Sequence, residues 1–533
     1  MNKRLSILLA TISCTMFCLS SQELVSSPKL VVGITIDQLR SDYLRYFWGA
    51  LGDRGFKRLY NEGIVFNNVD YGIPNVDKSS AVAILHTGAY PFAHGIASDM
   101  IYDKRRGRPV SCMEDPSFMG NSTAQTVSPN ALLTSTVGDE LKFATDGRSR
   151  VFSVAPDLQQ ALLQGGHVSD GATWLDDYTG KWATTTYYKT FPWYIDEYNT
   201  RFPLEKRIED LGWLPVNEPK SKFQLPFIQK DFSFMHIFSK EEKLKEFIFF
   251  KTSGLINAEV SQVVNLILKN DNLGKNENYP DMLNVTYYAG TYRNKSEHEM
   301  ALEIKDTYVR LDNVLECLLD SLDKRVGLSN TLIYLTSTGY QKCDDVLPAQ
   351  FPLPTGEFFP RRCIALLSMY LVATYGNGSW VEGYHNDQIY LNRTLIEEKG
   401  LSLDEFQRRC AEFVIQMSGV LDVVPASSLM HGYYNREVIK ARNGYSKKTS
   451  GDLLLTLQPG WVVRMEDENR PDYTVRSAAI NFPLIFFGLN FKPEKHNRPV
   501  YVTEIAPTIS SFLHIRSPNG AVEKPMIEVV TNR

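Results

Sequence analysis

Residues Leu30 to Ile36 read Leu-Val-Val-Gly-Ile-Thr-Ile, an almost unbroken apolar and β-branched run that stops at Asp37. A strand without polar alternation must be covered on both faces, which is the situation of a central strand in a parallel sheet. A second such run, Thr331 to Leu335, follows a long amphipathic stretch from Glu299 to Arg325. There Ala301, Ile304, Tyr308, Leu311, Val314, Leu315 and Leu318 keep helical spacing. Phe482 to Phe487, before Gly488, is a third strand candidate. Alternating strands and helices of this kind predict an α/β protein with a doubly wound, mostly parallel sheet.

Two stretches interrupt that pattern and read as inserted cap subdomains. Residues 171–275 are rich in Trp, Tyr and Phe and lack clean alternation, and 346–440 carry short elements of their own, including a helix around Leu403 to Met417. The core is thereby expected in three parts, 28–170, 276–345 and 441–533. The aromatic group Trp174, Trp182, Tyr187, Tyr188, Trp193, Tyr194 and Tyr198 is either a ligand platform or the packing of a cap onto the core, and packing is the commoner use of such residues.

The chain of 533 residues is 43% hydrophobic and 22% charged, which is a globular composition. Its net charge of −4 argues against a general nucleic-acid or anionic-membrane binder. Lys3 and Arg4 precede an apolar run, Leu5 to Leu19, followed by Ser20 and Ser21. That is the pattern of a secretory leader, 1–21, and predicts a periplasmic, secreted or envelope location with no membrane anchor after cleavage. Beyond the leader lie Cys112, Cys317, Cys343, Cys363 and Cys410, an odd number at irregular spacing from which no pairing follows.

Several phrases resemble the alkaline-phosphatase superfamily, in particular the monoesterase group related to nucleotide pyrophosphatases. VVGITIDQLRSDYL (31–44) is similar to the opening strand and turn, and HTGAYPFAHGI (86–96) to the YTGxxPxxHGI stretch. DTYVRLDNVLECLLDSLDKRVG (306–327) resembles the helix before a ligand-bearing strand. NGYSKKTSGDL (443–453), LQPGW (457–461) and EIAPTISSFLHIRSPNGAVEKP (504–525) resemble the C-terminal elements. These matches follow family order over nearly the whole mature chain and imply the alkaline-phosphatase-like fold.

The resemblance also implies a chemistry that the residues here do not keep. Family members hold two zinc ions with three Asp and three His beside a Thr or Ser nucleophile, because two cations stabilise charge on the attacking, leaving and non-bridging oxygens. Asp37 retains one carboxylate ligand. Thr291 and Lys295 stand for the Asp and His of D-Y-x-G-H. Thr338 and Gly339 replace the pair in T-A-D-H-G, and Asn481 falls on the last His. The nucleophile position is Lys78, with Ser79 and Ser80 as neighbouring hydroxyls. The phosphate-contacting Lys-x-Arg becomes Asp157 and Gln159, and an Asn becomes Asp99. None of the nine His forms a spaced pair that would rebuild a zinc site.

From these substitutions no cofactor is expected. The leading expectation is a catalytically inactive pseudophosphatase acting by binding or in envelope assembly, with an envelope protein or a phosphorylated or anionic ligand as partner. The alternatives are a phosphoric-ester hydrolase with an altered metal site using Ser79 or Ser80, and an anion- or phosphoglycan-binding protein that does not hydrolyse. Lys78 and Lys295 are further expected to neutralise Asp37 in place of the lost cations, because an unpaired buried carboxylate is costly.

Overall fold

A computed structural model of the chain describes residues 27–532 except 190, 217–223, 226–227, 230–232, 241–244, 298, 342–355, 431–434, 467–471 and 476–479. The expected leader, 1–21, and Cys343 lie outside the described residues. The continuous apolar run forms β1, Leu30–Asp37, with every residue buried. It lies at the centre of a ten-stranded sheet. The other members, in chain order, are β2 Ile64–Phe66, β3 Gly120–Asn121, β4 Val151–Ala155, β5 Gly171–Leu175 and β6 Trp182–Thr185. They continue with β7 Asp281–Tyr288 and β8 Thr331–Ser337. Beyond an inserted four-stranded sheet, β13 Leu484–Gly488 and β14 Glu494–His496 complete the set. The spatial order is β14-β2-β13-β8-β1-β7-β4-β5-β6-β3.

The centre is parallel. Asp37 of β1 faces Tyr288 of β7, Ile36 faces Ser337 of β8, and β7–β4 and β4–β5 continue in the same sense. Antiparallel pairings enter at β8–β13 and β5–β6. Gly33 permits the closest approach in this centre: a Cβ there would lie 2.2 Å from the Tyr334 hydroxyl oxygen and 2.7 Å from Asn284 Oδ1.

Alternate residues of β1 divide between two cores. Leu30, Val32, Ile34 and Ile36 pack with the helices Ile256–Asn270 and Ala301–Arg325. On the opposite face Val31 joins Met282, Leu332 and Tyr334 against Ile84, Leu85, Ile505 and Ile509. Helices on both faces of a mostly parallel sheet are the doubly wound arrangement read from the sequence. Two details differ at the ends of runs. The third strand starts at Leu484, because Pro483 lacks the N–H that a strand must donate. The helix begun at Leu403 stops at Val414.

The insertion boundaries need correction. β5 and β6 pair into the main sheet although both fall in the stretch 171–275 expected to be a cap. Trp174 and Trp182 are fully buried in these strands, so they belong to the core. The four-stranded sheet consists of β9 Val381–His385, β10 Gln388–Leu391, β11 Val420–Pro425 and β12 Leu453–Leu457, in the order β9-β10-β12-β11. Its last strand lies past residue 440, where the second insertion was expected to end. Trp380, Phe406, Leu391 and Leu455 belong to a hydrophobic core of its own.

Candidate functional site

The C-terminal ends of β1, β8 and β4 converge on one face of the sheet, where α/β proteins place their ligands. Asp37 is the last residue of β1 and is almost fully buried. Its Oδ1 accepts from the Thr338 hydroxyl at 2.9 Å, and its Oδ2 accepts from the Tyr340 hydroxyl at 3.3 Å. Thr338 Oγ1 in turn accepts from the Gln38 backbone N–H at 2.9 Å. Burial pushes the Asp37 carboxyl up to about 6, against the opposing influence of the Thr338 hydrogen bond and the Lys78 charge.

Lys78 opens the first helix of the site, α1, Lys78–Thr87. Asp77 caps it: its side chain accepts from the Ser80 N–H while the Ser80 hydroxyl accepts from the Asp77 N–H, a reciprocal capping box. The cap fixes Lys78 at the first helical position, where a cation opposes the helix dipole. Carboxylates offset that cost. Lys78 Nζ lies 2.8 Å from Asp157 Oδ2 and 3.9 Å from Asp99 Oδ2. Burial would lower the Lys78 ammonium, but the charges of Asp157, Asp99 and Asp37 outweigh it and hold the lysine firmly protonated.

Asp157 stands just after β4, at the N-cap of α2, Leu158–Gly165, and makes no capping bond there. Its oxygens instead bridge two lysines. Lys251, the last residue of α3, Glu246–Lys251, reaches Asp157 Oδ1 and Asp177 Oδ1, each at 2.5 Å. Burial pushes the Asp157 carboxyl upward, yet Lys251 and Lys78 together hold it well below the usual carboxylate range. Asp99 has the opposite fate. It accepts from the Ser79 N–H at 3.0 Å, but burial and the neighbouring Asp77 charge push its carboxyl up to about 7.

The remaining predicted residues divide sharply. Ser79 and Ser80 are fully buried. The Ser80 hydroxyl is held by Asp77 at 2.8 Å, and that of Ser79 lies 3.7 Å from the Cys112 thiol, which donates to it. Gln159 is half-buried on the first turn of α2. Thr291 is buried with its hydroxyl lacking a hydrogen-bond partner. Lys295 does not join the network, its ammonium sitting 3.9 Å from Glu299, and Lys78 pairs with Asp157 and Asp99, so that only its longer-range charge reaches Asp37. Asn481 is exposed and offers its carbonyl to the Ser41 N–H.

The donor set does not fit a two-zinc centre. Zinc needs deprotonated carboxylate, imidazole or thiolate ligands, three or four to an ion. Among the described residues no group of three or more His, Cys, Asp or Glu is arranged to hold a metal. Gly339 has φ +68°, and a Cβ there would meet the rings of Phe482 and Tyr71 at 2.7 Å, so the backbone at this position holds a conformation suited to glycine. The ammonium groups of Lys78 and Lys251 supply positive charge instead. Lys251, Asp177 and Tyr340 complete the site, and sequence reading missed all three.

Cys112, Cys317, Cys363 and Cys410 are free thiols. No described helix is long and apolar enough to cross a membrane.

The architecture has known relatives. A family model for type I phosphodiesterase / nucleotide pyrophosphatase matches residues 31–479. The chain is 31% identical over 527 residues to the alkaline phosphatase PafA of Elizabethkingia meningoseptica, covering 95% of each. It is 30% identical over 533 residues to the alkaline phosphatase PhoV of Synechococcus elongatus, covering 95% of this chain and 94% of the relative. The crystal structure of wild-type PafA superposes with a TM-score of 0.80 at 28% identity, over 95% of this chain and all of the other. With family model, relatives and sheet in agreement, the chain belongs to the type I phosphodiesterase / nucleotide pyrophosphatase family within the alkaline-phosphatase superfamily.

Proposed function

We propose that this chain is an exported, non-hydrolysing member of its family, a pseudophosphatase that acts by binding or in assembly of the cell envelope. The observation that carries the reading is Lys78: an ammonium paired with Asp157 stands where the family's nucleophilic hydroxyl is expected. A lysine held protonated by three carboxylates has no free lone pair with which to attack phosphorus.

The relatives' names favour a second reading, a phosphoric-ester hydrolase with an altered site. The local geometry weighs against it, because the Ser80 hydroxyl is committed to the helix cap and Ser79 is buried beside a thiol. Binding of a phosphorylated ligand in this cleft is disfavoured by charge. Among the described residues Asp37, Asp77, Asp99, Asp157 and Asp177 gather around Lys78 and Lys251, so an entering dianion meets more acidic groups than ammoniums.

The deciding experiment is zinc content by elemental analysis of the purified chain, with p-nitrophenyl phosphate turnover on the same sample. A folded protein without stoichiometric zinc and without turnover is the expected outcome. About two zinc ions per chain, with turnover abolished in Asp37→Ala, would overturn the reading and establish an enzyme.

A further inference from the structure

The four-stranded sheet carries a surface that the cleft does not explain. Its long helix α6, Pro360–Tyr375, has the sequence PRRCIALLSMYLVATY and contains no acidic residue. Cys363, Leu367 and Leu371 point inward to the local core. Leu366 is 40% exposed, Met369 69% and Val372 37%, so a second apolar stripe runs along the outer face. Helix α7, Leu403–Val414, packs antiparallel beside it: Tyr370 stacks on Phe413 with centroids 4.3 Å apart, and Tyr375 meets Phe406 at 5.0 Å. Ile415, just past the end of α7, is 43% exposed as well. Of the acidic residues on α7, Asp404 and Glu405 lie at the far end, leaving Glu412 as the nearest.

Arg361 and Arg362 stand in the first turn of α6, both exposed. Among the described residues neither guanidinium makes a hydrogen bond, ion pair or ring contact. Two cations in a first turn oppose the helix dipole, and among the described residues no carboxylate pairs with them as Asp157 and Asp99 pair with Lys78. Unanswered arginines at the head of an exposed apolar stripe suit a surface that is anionic outside and apolar beneath.

We propose that the outer face of α6 seats this protein on an anionic lipid surface, with Leu366, Met369, Val372 and Ile415 entering the headgroup–acyl boundary and Arg361 and Arg362 contacting phosphate headgroups. The overall negative charge confines this contact to the local patch and makes it sensitive to salt. The helix lies in the interface and does not span it.

The test is co-sedimentation of the chain lacking residues 1–21 with vesicles of phosphatidylglycerol and phosphatidylcholine, against vesicles of phosphatidylcholine alone. Binding is expected to the anionic vesicles only. It should weaken about tenfold or more in Arg361→Ser/Arg362→Ser, as two lost headgroup contacts imply, and should be lost in Leu366→Ser/Met369→Ser. Because all four side chains are exposed, unchanged thermal unfolding of each variant certifies its fold. Three results would overturn the proposal: no binding to either vesicle, equal binding by the arginine variant, or a dimer in light scattering that Leu366→Ser/Met369→Ser dissociates without any vesicle binding. The last would assign the stripe to a second copy of the chain.

Discussion

Replacing Lys78 by methionine removes the ammonium while keeping the length and most of the volume of the side chain. Asp99 then loses its lysine at 3.9 Å, and Asp157 keeps only Lys251. At 2.8 Å the Lys78–Asp157 attraction is about 6 kcal/mol for an effective dielectric near 20. Desolvation cancels much of this, and both side chains retain some solvent contact, so a coupling of about 2 kcal/mol is expected. Lys78→Met should destabilise the fold by about 3 kcal/mol, the ordinary cost of leaving a buried carboxylate unpaired. Asp157→Asn should cost a similar amount, because it leaves Lys78 only Asp99 at 3.9 Å and Lys251 only Asp177. In the double variant the loss should fall short of the sum by the coupling energy. Urea unfolding followed by tryptophan fluorescence provides the assay, with Trp174 and Trp182 reporting from inside the sheet. Additive costs, within about 0.5 kcal/mol, would show that Lys78 does not hold the site together and would remove the physical basis for treating it as a replacement for metal.

Two other outcomes follow from the site's geometry. Asp37 has its carboxyl raised from 3.8 to about 6, so the folded state binds that proton more tightly than the unfolded chain. Its effect on stability is therefore most favourable below pH 4 and is lost as pH rises through 6. Asp37→Asn should flatten the decline in unfolding free energy over that window and raise stability at pH 8 by about 1–2 kcal/mol, less than the full linkage because a Tyr340 hydrogen bond goes with it. An unchanged pH slope would refute the burial argument. Gly339→His, which restores a family ligand type, should cost about 3 kcal/mol from positive φ and contact with the Phe482 and Tyr71 rings. A variant as stable as the parent would mean that the loop shifts freely and that the position stays open to a ligand.

The sheet was legible because β1 and β8 are buried on both faces and so carry long apolar runs, whereas β7 is interrupted by Asn284 and Thr286. The cap boundary was not, because β5 and β6 are short and their tryptophans resemble those of a packing insertion. At the site, the family resemblance marks Lys78 as the nucleophile position, and the Asp77–Ser80 cap shows that it begins a helix. Lys295 carried a local warning: Glu299 lies one helical turn away, the spacing of an ordinary surface pair. Lys251 had no such signal. It lies at the end of a short helix, and its partners Asp157 and Asp177 come from distant parts of the chain, so only the folded sheet unites them. Tyr340 directly follows the Thr338–Gly339 pair but carries no signal in the sequence, and its hydroxyl is one of two that satisfy Asp37.

The order of strands has a consequence for how the chain is made. β1 is synthesised first, yet its neighbours span residues 281–288 and 331–337, and β2 waits for residues 484–486. A nascent chain therefore carries this apolar strand without a partner until more than half of the sequence has been made. Closing loops of that length is slow, and unpaired parallel strands invite association with other chains. If the chain is exported as proposed above, late closure is an advantage, since the centre of the sheet cannot lock while the C-terminal part is still in transit. The same delay makes the chain dependent on being shielded until β8 and β13 arrive, and any truncation before residue 484 leaves β2 and β8 with open edges.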